Sequence, residues 1–232
     1  MKLLLTGCNG YIGSVLSQEL LQQNFHVTGL DAGFYNDNLF GLPENYKVIK
    51  KDIRDIILED VKGYHFVVHL AALSNDPLGE LSPGITQQIN CLGTLNLAKM
   101  CKEAGVKRFI FISSQSIYGY SQTTNELDEY KSKIGPTTAY AISKWEAEKG
   151  LRQLISNDFV CCSFRPATVF GSSPRIRSDI VFNNFVGCAF TTGKIEILSD
   201  GNPWRPVVHI KDVCQAVIAG LRAPAEIVQG QS

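Results

Sequence analysis

The sequence predicts a doubly wound α/β fold, a parallel sheet with helices on both faces, followed by a small C-terminal lobe. Three observations predict it. Short apolar segments alternate with segments whose apolar residues recur at helical spacing. The apolar segments lack the polar alternation of a sheet with one wet face, so both faces are covered. A glycine-rich turn stands where the first strand meets the first helix.

Residues 2–6 form the first strand. Residues 11–23 carry Ile12, Leu16 and Leu20 four apart, one face of a helix. Residues 26–30 and 46–50 read as the second and third strands, with a short helix near 55–61 and a fourth strand at 65–70. Ser82-Pro83 joins an N-cap residue to proline at the first helical position, and Gly105 is a stop signal. Between them Ile85, Ile89, Leu92 and Leu95 form a stripe. Residues 108–112 are a strand, 138–157 a helix and 159–164 a strand. After Pro166 the rhythm weakens. Residues 171–178 read as loop, 179–190 as helix, 195–198 as a short strand, and 207–210 and 212–221 as one more strand and helix. No internal repeat or linker interrupts the chain. The expected division is a nucleotide-binding domain over 1–170 and a smaller lobe over 171–232. That lobe contacts substrate and is interleaved with the last strand and helix of the first domain.

Composition bounds the function. At 232 residues, 44% apolar and 19% charged, the chain is long enough to bury a core without metal or disulfide staples. Lys+Arg 22 balance Asp+Glu 22, which argues against a nucleic-acid or anionic-membrane binder. No aromatic–basic stripe runs along the chain. No apolar run approaches about 18 residues, so no membrane span is expected. The apolar start at Met1 is cut by Gly7 and Gly10 and does not read as a signal peptide. The seven cysteines are scattered without a Cys-x-x-Cys pair, which reads as a reduced, cytoplasmic chain. His26, His65, His69 and His209 lack metal-ligand spacing, so no metal site is expected.

Two constellations carry chemistry. The first is Gly7-Cys8-Asn9-Gly10-Tyr11-Ile12-Gly13. Gly7 permits a tight turn, Gly10 lets backbone approach a pyrophosphate, and Gly13 allows close helix–strand packing. The N–H groups of the helix start then face the anion. This is the Rossmann arrangement. Asp31, at the end of the second strand, is placed to bind a ribose diol and to repel a 2′-phosphate. No Lys or Arg follows it before Lys47, which favours NAD over NADP. Taken alone, the same residues also fit a glycine-rich turn and a surface aspartate. The second constellation is Tyr140 and Lys144. In a helix they lie roughly 6 Å apart on one face, where an ammonium lowers a phenol pKa. Tyr46 and Lys50 share the spacing but fall in a strand. A phenolate at Tyr140 can take a hydroxyl proton. Ser113-Ser114 ends the fifth strand, at the sheet edge where such folds bind ligands. Alone, the pair fits a solvated helix face and the serines fit a turn.

Together these residues resemble the extended short-chain dehydrogenase/reductase superfamily, in its NAD-dependent nucleotide-sugar epimerase/dehydratase branch. The matching stretches are 6–13, 51–55, 69–72, 90–94, 113–119, 140–144, 165–171 and 205–212. The resemblance implies NAD as cofactor, a nucleoside-diphosphate sugar as substrate and a homodimer formed by the helices at 83–104 and 138–157. It assigns the cofactor to Gly7, Asn9, Gly10, Tyr11, Ile12, Gly13, Asp31, Asp52, Ile53, Leu70, Ala71 and Ala72, with Tyr140 and Lys144. Asp31 would hold ribose, Asp52 and Ile53 adenine, and 70–72 the nicotinamide ribose. It makes Ser114, Tyr140 and Lys144 catalytic. It puts Ser74, Ser114, Gln115, Thr168, Arg175, Asn184 and Arg205 on the substrate side, Arg205 at the diphosphate.

The departures from the family pattern also carry meaning. Gln115-Ser116 stand where dehydratases of the family carry Asp-Glu, so 4,6-dehydration is not expected. Thr168 replaces the family's asparagine and Phe170 its tyrosine. Arg175, Arg177, Asn183 and Asn184 supply a polar stretch that can replace the missing amide, or form a solvated loop. Family members extend past the equivalent of Ser232, which implies an incomplete substrate lobe. The implied function is oxidation of a sugar hydroxyl, at C4, by an epimerase or by a 4-dehydrogenase or keto-reductase. The alternative is a non-catalytic NAD(H)-binding regulatory protein on the same fold.

Overall fold

A computed structural model describes residues 1–34, 46–74, 76–119, 127–197, 200 and 206–231. Six strands form one parallel sheet in the order β3-β2-β1-β4-β5-β6, built from β1 (Lys2–Thr6), β2 (His26–Asp31), β3 (Lys47–Lys50), β4 (Phe66–His69), β5 (Arg108–Ile112) and β6 (Val160–Phe164). The chain winds outward from β1 to β3, then returns to lay β4 on the other flank of β1. Thr6 is in register with Leu30 on one side and His69 on the other. That reversal opens a crevice at the carboxyl ends of β1 and β4, the place where this topology binds ligands.

Alternation along the strands feeds two cores. Leu3 and Leu5 point to one face with Val68, Ile110 and Cys162. There they meet Leu16 and Leu20 of α1 (Tyr11–Gln22) and Val213, Val217 and Leu221 of α7 (Ile210–Arg222). Leu4 points to the other face with Val67, Phe109, Phe111 and Cys161. There it meets Leu97 and Cys101 of α4 (Thr94–Glu103) and Ala147 and Leu151 of α5 (Ala139–Arg152). Adjacent Cys161 and Cys162 thus face opposite layers, as strand geometry requires. Each fully buried leucine contributes about 1.5–3 kcal/mol relative to an exposed one. No helix of the described residues is long and apolar enough to cross a membrane.

Several elements differ from the sequence expectations. The helix near 55–61 is two 3-10 turns, Ile53–Asp55 and Leu58–Asp60, the first capped by Asp52, which accepts from Arg54 N–H at 2.9 Å. The helix expected from Ser82 to Gly105 is α3 (Pro83–Gln87), a π turn (Gln88–Gly93) and α4, and the Ser82 side chain does not cap it. The extra residue of the π turn breaks the 3.6-residue rhythm, so the stripe divides. Ile89 is buried at 9% exposure, whereas Ile85 and Leu92 are exposed at 45% and 56%. A short α2 (Asp76–Leu81) precedes it unannounced. Helix α5 stops at Arg152, before the expected 157, because Ser156 and Phe159 pair in a tight turn into β6.

In the C-terminal part, Thr168–Phe170 is an unforeseen strand, β7. It pairs in parallel with β8 (Val207–His209). Helix α6 (Val181–Thr192) lies between them in sequence and has no buried residue. Residues 195–197 are not strand, with Ile195 and Ile197 left 53% and 60% exposed; Leu198 lies outside the described residues. A last short helix, α8 (Ala225–Val228), ends at a turn whose Gly230 N–H donates to Cys161 O at 2.8 Å.

Candidate active site

The glycine turn joins β1 to α1 and its geometry explains its residues. Gly7 has φ +71°, and a Cβ there would lie 2.6 Å from Ala71 N. A Cβ on Gly13 would lie 2.1 Å from Gly7 O, so helix and turn touch through bare backbone. Gly10 is the N-cap of α1, and no side chain caps that helix. Its first turn is therefore available to an anion. Asp31 closes the end of β2 and accepts from Asn9 N–H at 3.1 Å and Gly33 N–H at 2.8 Å. One carboxylate thus fixes the turn and presents itself to the same opening.

Opposite this wall stands the segment after β4. Leu70 N–H donates to Thr6 O at 3.1 Å, and Ala71 N–H reaches Thr6 Oγ1 at 3.5 Å. Beneath it lies a buried polar chain that sequence reasoning misses. Thr94 Oγ1 donates to Asn90 O at 2.7 Å, so it accepts from His69 Nε2, 2.8 Å away. The ring proton is therefore on Nε2, and Nδ1 accepts from Thr6 Oγ1 at 2.6 Å. Burial, with the nearby Lys144 charge, drives the His69 pKa down to about 3. The ring stays neutral and serves as a fixed strut. Asn90 accepts from Leu73 N–H at 2.8 Å, donates to Leu73 O at 3.0 Å and donates to Ser143 Oγ at 3.1 Å. Ser143 Oγ in turn donates to Tyr140 O at 2.7 Å. One network thus ties β1, the 70–74 segment, the π turn and the Tyr140 helix together. The signal for it in the sequence is Asn90 and Thr94 at helical spacing, four residues apart.

Tyr140 and Lys144 occupy the first turns of α5, which Thr138 caps by accepting from Ala141 N–H at 3.2 Å. Thr138 Oγ1 also donates to Asp76 Oδ1 at 2.9 Å. Lys144 is 3% exposed. Its ammonium donates to Ile112 O at 2.7 Å and sits 4.6 Å from the Phe111 ring centroid and 5.9 Å from that of Tyr140. Burial lowers its pKa to about 7 against the opposing pull of Glu148. Glu148 is itself clamped by Arg165, with Nη2 to Oε2 at 2.7 Å and both side chains nearly inaccessible. Arg165 also donates to Tyr118 Oη at 2.8 Å. The expected lowering of the Tyr140 phenol does not appear in the polypeptide alone. Burial raises its pKa above 10, while a hydrogen bond with Ser114 lowers it. Asp76 adds a further upward push and Arg177 a further downward one. Ser114 Oγ accepts from Ser116 N–H at 3.1 Å.

The glycine turn, Asp31, the 70–74 segment, Ser114, Tyr140 and Lys144 face one cleft of about 670 Å³, with the buried polar network behind its wall. Every residue expected at the cofactor lines it: Gly7, Asn9, Gly10, Tyr11, Ile12, Gly13, Asp31, Asp52, Ile53, Leu70, Ala71, Ala72, Tyr140 and Lys144. On the substrate side it is lined by Ser74, Ser114, Gln115, Thr168 and Arg175, joined by Asp76 and Arg177. Asn184 is not brought there; it is exposed and its amide donates to Ser178 O at 3.2 Å. Its neighbour Asn183 turns inward instead. Arg205 lies outside the described residues. The donor set suits a dinucleotide: a bare-backbone cradle and helix start at one end, a carboxylate at the end of β2, and Ser113 Oγ buried on the cleft wall without a hydrogen-bond partner.

The NAD dependent epimerase/dehydratase family matches residues 3–232. The chain belongs to that family. Within it, the chain is 27% identical over 97% of its length to a putative UDP-glucose 4-epimerase of Methanocaldococcus jannaschii, spanning 75% of that protein. Among solved structures, MoeE5 in complex with UDP-glucuronic acid and NAD is 27% identical with a TM-score of 0.82, covering 97% of this chain and 73% of that one. UDP-glucuronic acid 4-epimerase from Bacillus cereus, in complex with UDP-glucuronic acid and NAD, is 25% identical with a TM-score of 0.83, covering 100% and 76%. NAD is the cofactor of the epimerase/dehydratase family and thus of this chain.

Proposed function

We propose that the chain is an NAD-dependent nucleoside-diphosphate-sugar epimerase that oxidises the sugar at C4, with Tyr140 as the base. The observation that carries the reading is the convergence of Tyr140, Ser114 and Lys144 in the same cleft as the glycine turn and Asp31. NAD, when bound, supplies the two-electron acceptor for the hydrogen leaving that carbon and can return it to the other face. Tyr140 takes the hydroxyl proton. Ser114 shares the hydrogen bond at that oxygen and steadies the phenolate. Lys144, its Nζ 5.9 Å from the Tyr140 ring centroid and held by Ile112 O, stands on the same helix face as the base and borders the cofactor. Asp31 and the glycine turn hold the cofactor, Asp52 and Ile53 bound its adenine end, and residues 70–72 border its nicotinamide ribose. Ser74, Gln115, Thr168 and Arg175 contact the sugar nucleotide. Gln115-Ser116 offer no acid to expel water, which supports epimerisation over 4,6-dehydration. The relatives named as 4-epimerases agree with this choice.

The division at 170 also belongs to this reading: residues 171–232 contribute the substrate side, and the apolar, uncovered α6 is part of that lobe. A homodimer through α3, α4 and α5 fits the exposed Ile85, Leu92 and Ile142 on those helices or the π turn between them. The testing experiment is turnover on a panel of nucleoside-diphosphate sugars by wild type and Tyr140→Phe. Loss of about 10²–10⁴-fold in kcat with NAD affinity retained is expected. Wild-type turnover by Tyr140→Phe on any sugar would refute the base assignment. A wild type inert on the whole panel would refute the sugar chemistry.

A further inference from the structure

Three residues hang the 171–180 segment, one wall of the cleft, from the glycine turn. Tyr11 is the first residue of α1, directly after the N-cap Gly10. Gly171 follows β7, and Asn183 stands in the first turn of α6. Tyr11 Oη donates to Gly171 O at 2.8 Å, Gly171 N–H donates to Asn183 Oδ1 at 3.1 Å, and Asn183 Nδ2 donates to Tyr11 Oη at 3.1 Å. These bonds run head to tail and close a ring. The second Asn183 amide hydrogen goes to Arg177 O at 3.0 Å. Both amide hydrogens are therefore used, and Asn183 holds the wall rather than replacing the amide missing from the substrate side.

A second link backs the first residue of α1. Ser173 Oγ donates to Tyr11 O at 2.7 Å and accepts from Arg175 N–H at 3.1 Å. Gly171 has φ +125°, and a Cβ there would lie 2.8 Å from His209 Nε2, so only glycine fits at the start of the wall. Further along, Arg177 Nη1 donates to Ser74 O at 3.2 Å and Arg177 pairs with Asp179. The first of these joins the segment after β4 and the second is internal to the wall; neither touches the glycine turn. The cleft is lined by Tyr11 and by Arg175 to Ile180, whereas Gly171, Ser173 and Asn183 are not in its lining. A dinucleotide in the cleft therefore reaches those three through residue 11.

We propose that Tyr11 is a positioning residue that transmits dinucleotide binding at the glycine turn to the 171–180 wall, through the ring it closes with Gly171 and Asn183. An anion at the uncapped start of α1 restrains the backbone of that turn, Tyr11 included. The ring passes the restraint on as a unit, because breaking any one of its bonds strands a carbonyl or an amide. Cofactor binding thus readies the side on which the proposed function holds the sugar nucleotide. The coupling itself needs only NAD; its purpose rests on that reading.

The test uses no sugar, so a failed coupling and a failed sugar chemistry register separately. Hydrogen exchange of the Gly171 amide is followed by nuclear magnetic resonance in the free protein and at saturating NAD. In wild type, NAD is expected to slow it at least about fivefold, the low end of coupling between two sites. Gly171 N–H ends on Asn183, whose described tie to α1 is the Tyr11 hydroxyl. Tyr11→Phe removes that hydroxyl and keeps the ring in the core, where Tyr11 is 8% exposed. It is expected to keep NAD affinity within about twofold and to cut the Gly171 response below about twofold. Asn183→Leu, read as the same ratio with and without NAD, is the second variant and is expected to lose the response too. A wild-type response below about twofold overturns the proposal. So does a full wild-type response in either folded variant that binds NAD.

Discussion

Lys144 carries a measurable thermodynamic signature. Its pKa falls from 10.5 in the free side chain to about 7 in the folded protein, mainly through burial. The folded state therefore binds its proton more weakly than the unfolded state between those values. Where the unfolded chain holds more protons, stability rises with pH. The contribution is unfavourable below pH 7, where the buried ammonium is charged, and improves as pH climbs towards 10.5. From pH 7 to 9 this amounts to about 2 kcal/mol, since each tenfold fall in proton concentration is worth about 1.4 kcal/mol once the folded lysine is neutral. Six buried thiols act in the opposite sense, because burial raises Cys8, Cys91, Cys101, Cys161, Cys162 and Cys214 while the unfolded chain deprotonates them near 9. The difference between wild type and Lys144→Met cancels the thiols and isolates the lysine. Urea unfolding of both at pH 7 and pH 9 is the assay. The gap should shift in favour of wild type by about 2 kcal/mol over that interval. A gap constant to within about 0.5 kcal/mol would refute the reasoning, since Lys144 would then not titrate in the folded protein in this window.

Gly13→Ala forces a methyl to 2.1 Å from Gly7 O, and NAD affinity should drop roughly 10- to 100-fold by titration calorimetry; unchanged affinity contradicts the close-packed turn. Asp31→Ala should weaken NAD, and the wild type should bind NAD more tightly than NADP; equal dissociation constants would sink the discrimination. In the cofactor-free chain Tyr140 should titrate above its ordinary value of 10, measured as the ultraviolet difference between wild type and Tyr140→Phe. A phenolate forming below about pH 8 would contradict the burial argument. Light scattering at micromolar concentration should give a dimer, and a monomer would remove the role assigned to Ile85 and Leu92.

The fold is legible because its signals are local and repeated. Leu3, Leu4 and Leu5 announce a strand covered on both faces, and Gly7, Gly10 and Gly13 announce a turn only backbone can make. The cleft that the expected cofactor residues line is legible for the same reason: those residues sit at strand ends, in chain order, around one crevice. The π turn is not, because Ile85, Ile89, Leu92 and Leu95 fit an unbroken helix equally well. Only the side-chain needs of Asn90, which must reach Leu73 and Ser143, show why the helix slips there. Strand β7 is three residues long, too short for any period to register. Arg177 reads in sequence as part of a polar stretch, but its partner Ser74 lies 103 residues away, beyond the reach of spacing arguments.

The electrostatics of the site argue for an order of events that spacing alone does not suggest. In the proposed mechanism Tyr140 and Lys144 are a base and its partner on one helix face, yet burial moves both away from readiness: it raises the phenol and leaves the ammonium titrating near 7. The Lys144 ammonium is spent on Ile112 O and the Phe111 ring rather than on the phenol oxygen. Of the two remaining charges acting on Tyr140, Asp76 opposes ionisation and Arg177 favours it, so they offset in direction. The chain by itself therefore keeps Tyr140 protonated at neutral pH. If Tyr140 is the base, as proposed, its ionisation would need positive charge beyond what these residues supply, and the oxidised cofactor would bring it to the same cleft. Arg177, the one charge that favours the phenolate, lines the same cleft, so a cofactor bound there would add its charge on the side that already opposes Asp76.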